Sequence, residues 1–290
     1  MNATLPAQAA TVRVPGKLSV VLPAYNEALN LEGVVRRALE VLPSLAPEFE
    51  LIIVDDGSTD GTGPLADHLA QLSPTIRVIH HERNRGYGAA LTSGFQAATG
   101  DFIMFMDADQ QFDPADLAQL LPFLHDADLV AGYRIKRRDP RIRLIYAWIF
   151  NRAMRLLFGI PVRDIDCAFK VWRAELLKAL EITSKGALIN TELLIKARRA
   201  GARIVEAGVN HYPRPTGEPT GGNPKVILRA MRETIRLWWR MLFYEPPAVP
   251  TRGQALPRYA LWMRSAVLGT VGLAALGALI EGLRRIPRQE

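Results

Sequence analysis

Residues 100–117 read GDFIMFMDADQQFDPADL. Phe102 to Met106 is an unbroken apolar run of the length of one strand buried on both faces. It stops at Asp107, Ala108 and Asp109, with Gln110 and Gln111 next, and Asp113-Pro114 has the chemistry of a helix start. A strand ending in two carboxylates delivers them to the sheet edge where open α/β folds gather their ligands. Oxygen donors there suit a divalent cation, which can in turn hold phosphates. D-x-D alone is also an ordinary acidic turn capping the next helix, so the rest of the chain has to decide.

Working outward, the same device recurs. Leu18 to Leu22 is a short apolar strand broken by Pro23, followed by the turn Ala24-Tyr25-Asn26-Glu27 and helical periodicity over 28–42. Glu50 to Val54 ends in Asp55-Asp56-Gly57-Ser58-Thr59-Asp60-Gly61, a turn and then a helix start. Ile76 to His80 is a third strand, followed by Asn84-Arg85-Gly86-Tyr87-Gly88 and an alanine-rich helix to Ala98; Leu129 to Gly132 is a fifth. Strands alternating with helices predict a Rossmann-like α/β fold, a mainly parallel sheet with helices on both faces. Tyr25, Glu27, Asp55, Asp56, Asp107, Asp109 and Arg134 then collect along one edge.

Composition narrows the function classes. A chain of 290 residues holds one large domain and an appendage. Its net charge of +7 gathers after residue 133, pointing to an anionic surface or a phosphate-bearing substrate; nothing in the sequence supports nucleic acid. A single cysteine, Cys167, excludes an internal disulfide framework and places the catalytic part in a reducing compartment. Residues 1–16 have no charged region followed by an apolar run, so a loose tail is expected and a secretory signal is not. Gly86-Tyr87-Gly88 gives G-x-G, but Leu91 stands where a dinucleotide fingerprint needs its third glycine, and no G-x-x-x-x-G-K-[ST] occurs. Phosphates must therefore be held by metal and cationic side chains.

Together, SVVLPAYNE, IIVDDGSTDGT, NRGYGAAL and DADQQ make the chain resemble the inverting family 2 glycosyltransferases of GT-A fold. Within that family it looks most like the polyprenyl-phosphate enzymes of the dolichyl-phosphate mannose and glucose synthase branch, with DIDCAFK at 164–170 fitting the same group. The resemblance covers residues 17 to about 230. It implies that Pro23, Tyr25, Glu27, Val54 and Asp56 hold the nucleoside, that Asp107, Ala108 and Asp109 approach the diphosphate, and that Asp109 and Gln111 ligate the metal. The chain has no Q-x-x-R-W string, the product-site motif of processive family members. Glu192 lies near where those enzymes carry a base; a lipid phosphate, already ionised, needs alignment more than deprotonation, so Glu192 is either a base or a helix brace.

The chemistry can also be argued from the residues. A departing nucleoside diphosphate needs a fixed counter-charge, which Mg²⁺ or Mn²⁺ on oxygen ligands supplies. Arg134, Lys170, Arg214 and Lys225 are cationic candidates for the other half of that clamp, Arg134 and Arg214 with Asp107 and Asp109 forming the expected catalytic set. His211-Tyr212-Pro213-Arg214 opens a Gly- and Pro-rich stretch to Pro224 that is either a lid or a plain linker. His211 is a candidate for catalysis or a structural turn residue.

The C-terminal part points to a membrane. Arg229, Arg232, Arg236 and Arg240 form one stripe on a helix over 225–245, with Met231, Ile235, Trp238 and Leu242 opposite, suiting anionic headgroups. A basic and aromatic mixture also runs from Arg134 to Phe158. After a linker at 246–258, Tyr259 to Ile280 is 22 residues with Arg264 as its one charge, the length of a transmembrane helix or anchor. Its small residues, Gly269, Gly272, Ala274 and Ala278, permit a homo-oligomer. The expected organisation is a tail at 1–16, a GT-A catalytic domain at 17–224, the amphipathic helix, the linker, the span and a tail at 281–290. The expected function is transfer of one sugar from a GDP- or UDP-sugar to polyprenyl phosphate, on a cell membrane with the catalytic domain cytoplasmic. A hydroxyl acceptor on a lipid or saccharide, or a non-catalytic membrane-surface scaffold, are the alternatives.

Overall fold

The computed structural model describes residues 12–135, 141–215 and 224–255, with backbone alone at 141–143, 146 and 224–232. Among the described residues seven strands alternate with helices: β1 (Leu18–Ala24), α1 (Ala28–Leu45), β2 (Phe49–Asp55), α2 (Thr62–Leu72), β3 (Ile76–His80), α3 (Tyr87–Ala97), β4 (Phe102–Phe105) and α4 (Leu117–Leu120) lead to β5 (Leu129–Ile135). Then come α5 (Arg141–Phe158), β6 (Lys170–Arg173), α6 (Ala174–Ala179), α7 (Ile189–Ala200), β7 (Ile204–Asn210) and α8 (Pro224–Phe243).

The sheet order is β3-β2-β1-β4-β6-β5-β7. Strands β1 and β4 are buried at every residue, which is why they read as continuous apolar runs. Strand β3 at the edge carries Arg77 and His80 on an accessible flank, polar groups that discourage pairing with another chain. Helix α1 buries Leu31, Val34, Val35, Ala38 and Leu42, the i, i+3, i+4 stripe that sets it against the sheet.

Two strands exceed the sequence expectation. Lys170–Arg173 runs antiparallel between β4 and β5, with Phe105 opposite Lys170 and Ile103 opposite Trp172. Four residues beginning with a lysine carry no strand signal; tertiary pairing on both sides supplies it. Strand β7 pairs parallel to β5. The sheet is thus mixed, every strand but β6 pointing the same way, so the carboxyl ends of the parallel strands and the first residue of β6 share one edge. The core beneath includes Trp172, Phe105 and Phe169, fully buried and worth roughly 1.5–3 kcal/mol each.

Both ends of the domain are pinned. Val14 is buried, and its N–H donates to Leu45 O at 2.8 Å, so the chain joins the core before residue 17. Beyond α8, Arg252 N–H donates to Asp128 Oδ2 at 2.8 Å and its guanidinium to Oδ1 at 3.2 Å, while the Thr251 hydroxyl donates to Ala200 O at 3.2 Å. The stretch after 245 is therefore strapped across the start of β5 as far as it is described. No helix among the described residues is long and apolar enough to cross a membrane, and the expected span at 259–280 lies outside them.

Candidate active site at the carboxyl edge of the sheet

The turns after β1 and β2 are stitched to each other. Asn26 N–H donates to Ser58 Oγ (3.0 Å), Thr59 N–H to Asn26 Oδ1 (2.9 Å), Glu27 N–H to Thr62 Oγ1 (2.9 Å) and Ala28 N–H to Asp60 Oδ2 (3.1 Å). The DDGSTDGT string thus builds the start of α1 as well as its own turn. Asn26 holds a left-handed φ of 56°, a conformation such ties sustain. Gly57, at φ 71°, packs where any side chain would strike the Arg83–Asn84 backbone. Asp56 accepts from Arg85 N–H (2.9 Å), Gly86 N–H (2.8 Å) and the His81 ring (2.6 Å), and His81 bonds Ser93 Oγ on its other side at 2.9 Å. Tyr25 stands half-exposed at the rim, whereas Pro23, Val54 and Ala108 are buried and can meet a ligand only through the main chain.

After β4 the chain turns through Gln110, whose left-handed φ of 62° reverses it. Gln111 N–H then donates to Asp109 Oδ1 at 3.1 Å. The Gln111 side-chain NH₂ donates to Tyr212 O at 3.2 Å, and Tyr212 N–H returns a bond to Gln111 O at 3.0 Å. That pair fixes the amide so that its oxygen is directed away from Tyr212 and left for a ligand. Asp107 accepts from the Tyr87 hydroxyl at 2.9 Å. Burial pushes the Asp107 carboxyl well above the usual range and the charge of Asp109 adds to it, while Tyr87, Arg134 and Lys170 pull it part of the way back. Two carboxylates held this close call for a positive charge. Among the described residues Arg214 supplies one: its guanidinium lies 2.5 Å from Glu27 Oε1 and 3.6 Å from Asp109 Oδ2.

A divalent cation fits this constellation. Asp109 and Gln111 offer two oxygens, and no group of three or more His, Cys, Asp or Glu surrounds them among the described residues, so a ligand's phosphates and water would complete the shell.

Arg134 leaves β5 as a fork on Asp164, Nε and Nη2 each 2.8 Å from a carboxylate oxygen. Beside it opens a cavity of about 550 Å³ lined by Tyr133, Arg134, Trp148, Arg152, Arg155 and Arg163 among others. Asn151, also in the lining, ties α5 to the segment that follows it, accepting from Ile165 N–H at 2.9 Å.

Of the remaining candidates, Lys170 is placed differently from the sequence expectation, and Glu192 and His211 fall among the alternatives left open for them. Lys170 is fully buried; its ammonium donates to Ile165 O (3.0 Å), Cys167 O and Asn190 Oδ1 (3.4 Å), so it holds the 165–167 loop instead of facing a phosphate. Burial lowers its pKa. Glu192 is also sealed, paired with Lys196 at 2.7 Å and accepting from Thr183 and Ser184, the brace alternative. Burial alone would raise its carboxyl, but bonds from Lys196, Ser184 and Thr183 outweigh that and hold it low. His211 stacks edge-on against Phe112, centroids 5.4 Å apart. Lys225 opens α8, its side chain outside the described residues.

The sequence pattern of "Glycosyl transferase family 2" matches residues 19–194, which spans β1 through the middle of α7. The chain belongs to glycosyl transferase family 2. Its relatives include Glycosyltransferase AglD of Haloferax volcanii, 34% identical over 236 residues, 78% of this chain and 37% of that one. Undecaprenyl-phosphate mannosyltransferase of Micrococcus luteus is 32% identical, covering 70% of this chain and 86% of its own. Dodecaprenyl-phosphate galacturonate synthase of Rhizobium johnstonii is 31% identical, with 81% and 69% covered. The chain therefore spans little more than a third of the first relative and more than two thirds of the other two. Among solved structures, glucosyl-3-phosphoglycerate synthase of Mycobacterium tuberculosis, in complex with Mn²⁺, UDP and glucosyl-3-phosphoglycerate, superposes with a TM-score of 0.59 at 25% identity, over 78% of this chain and 80% of that one.

The family 2 domain is thus a GT-A fold with a mostly parallel, mixed sheet. Two residues that matter to this geometry carry no local signal of their partners in the sequence. Asp164 lies within the DIDCAFK string, but its partnership with Arg134 spans 30 positions. Tyr87 sits inside the GYG turn, and its partner Asp107 stands 20 positions on, at the end of another strand.

Proposed function

We propose that this family 2 glycosyltransferase moves one sugar from a nucleotide-sugar to polyprenyl phosphate, with inversion, at the cytoplasmic surface of a membrane. The nucleoside lies over Tyr25, Glu27 and Asp56, with its diphosphate at Asp107 and Asp109. Mg²⁺ or Mn²⁺ held by Asp109 and Gln111 would neutralise the leaving diphosphate. Arg214, released from Glu27 and Asp109, turns its charge to the same phosphates. A phosphate oxygen of the acceptor attacks the anomeric carbon from the opposite side, the bond to the diphosphate breaks, and the nucleoside diphosphate departs.

The observation that carries the acceptor class is the groove beside Arg134, in which arginines alternate with Tyr133, Leu144 and Trp148. Guanidinium groups suit a phosphate and the apolar side chains suit the isoprenoid behind it. Sealed Glu192 supports the same choice, because an ionised phosphate needs no base there. The relatives named for undecaprenyl- and dodecaprenyl-phosphate agree in acceptor while differing in sugar, which leaves the sugar to experiment.

Membrane contact falls to two helices. On α8, Leu237, Met241 and Leu242 face the core, and Ile235, Trp239 and Phe243, four residues apart, stand exposed, with Arg236 and Arg240 also exposed. The apolar side of this helix is thus divided: Ile235, grouped in sequence with Leu242, faces outward. On α5, Met154 and Phe158 face the core while Ile145, Trp148, Ile149 and Leu156 are exposed. Such ridges suit the boundary between headgroups and acyl chains. The test is transfer of radiolabelled sugar from a panel of GDP- and UDP-sugars to undecaprenyl phosphate in detergent with Mn²⁺. One labelled, acid-labile lipid product is expected; a water-soluble product alone would rule the acceptor out.

A further inference from the structure

Asp107 has one side-chain hydrogen-bond partner among the described residues, the Tyr87 hydroxyl at 2.9 Å. Tyr87 opens α3 between two glycines, and both are pressed against another loop. A Cβ on Gly86 would lie 2.5 Å from Lys185 O, and one on Gly88 would land on Ser184 O. Gly86 also holds φ 99°, so the turn tolerates no side chain on steric or conformational grounds. Lys185 O accepts from Gly88 N–H (2.8 Å) and Ala89 N–H (3.3 Å), tying the first turn of α3 to residues 184–186.

That loop is in turn seated by Glu192. Its carboxylate accepts from Thr183 N–H at 3.1 Å, Thr183 Oγ1 at 2.7 Å and Ser184 N–H at 2.7 Å, and Lys196 holds its charge from one helical turn away. Arg240 of α8 donates to the same Thr183 hydroxyl at 3.1 Å. A fully buried carboxylate with this many donors is an anchor, and the loop it anchors abuts backbone with no flexible side chain between. The contacts run without a gap from α7 to the carboxylate at the end of β4.

We infer that Tyr87 is a positioning residue for Asp107, and that Glu192 acts on the donor site through the 183–186 loop and the Gly86–Gly88 turn. Since Asp107 is used as a donor-site carboxylate, this rests on the function proposed above. Glu192 in this chain thereby orients a carboxylate of the donor site instead of removing a proton from the acceptor. Asp107 stands at the diphosphate that completes the metal's shell, so the bond that fixes it acts as an outer-shell contact, whose loss typically changes metal affinity by about 10-fold or more.

The test uses the full chain and Mn²⁺ titrated by electron paramagnetic resonance in the presence of UDP or GDP. Tyr87→Phe is expected to weaken Mn²⁺ binding about 10-fold while the melting temperature stays within about 2 °C, because one hydroxyl is lost and the ring still packs. Thr183→Val, which removes one Glu192 contact without emptying the buried site, is expected to weaken it less. The double variant should match Tyr87→Phe alone, since both act through one carboxylate. Wild-type affinity in Tyr87→Phe would overturn the role of Tyr87. Multiplying effects in the double variant would overturn the relay. A wild type that binds no Mn²⁺ with either nucleotide would sink the donor site itself, and this inference with it.

Discussion

Arg214 sits where a cation is wanted, and removing it should open that place to a metal. Its guanidinium is 3.6 Å from Asp109 Oδ2, for a gross attraction of about 4–5 kcal/mol at an effective dielectric of about 20. Desolvation and the ordering of a long side chain return most of this, leaving about 1–2 kcal/mol that an entering cation must overcome. Arg214→Ala should therefore bind Mn²⁺ in the absence of nucleotide about 5- to 30-fold more tightly than wild type, at about 1.4 kcal/mol per decade. Calorimetric titration of the nucleotide-free protein measures this directly. Arg214→Lys, which keeps the charge but cannot reach Glu27 and Asp109 with separate nitrogens of one planar group, should fall between the two. The same Arg214→Ala protein should be the poorer transferase, because the donor phosphates lose a counter-charge. Affinity for Mn²⁺ alone equal to or weaker than that of wild type would refute the reasoning.

Three further outcomes follow from the geometry. Burial alone would raise the Glu50 carboxyl, but bonds from Ser19, Thr99 and Arg77 bring it down to about 2, so its stabilisation is complete above about pH 4.5 and drains as pH falls toward 2. The melting temperature of Glu50→Gln should thus fall less steeply than that of wild type over this interval, and parallel curves would contradict it. Asp164→Ala removes one half of a mostly buried ion pair, its side chain 9% exposed and that of Arg134 13%, and should cost about 3 kcal/mol in denaturant titration. It should also reduce kcat/KM for polyprenyl phosphate more than it weakens donor binding; an equal loss would detach Arg134 from the acceptor. In a Trp262→Phe protein, brominated lipid should quench tryptophan emission on vesicles, and adding Trp148→Phe with Trp239→Phe should remove most of that quenching; undiminished quenching would remove α5 and α8 from the lipid surface.

What the sequence made legible was whatever depends on neighbours along the chain. The apolar runs at Leu18, Glu50 and Phe102 became buried strands, and each ended in the polar turn its residues required. Strand β6 escaped because Lys170–Arg173 has strand character only between β4 and β5, and its lysine reads as a surface charge until Ile165 O and Cys167 O are seen around it. Arg214 could be picked out as a cation, but its partner Glu27 is 187 positions away. The meaning of Tyr87 depends on a loop nearly a hundred residues later that fills the space its flanking glycines leave. Charge type was visible in the string; which charge meets which is decided by the sheet.

Phosphorus-31 relaxation of a bound GDP- or UDP-sugar in the presence of Mn²⁺ tests the metal-held diphosphate most directly. Strong paramagnetic broadening of both donor phosphorus signals is expected in the wild-type protein, lost in Asp109→Ala although the nucleotide still binds. Broadening that survives Asp109→Ala unchanged would place the metal elsewhere and contradict a donor held at the tip of β4.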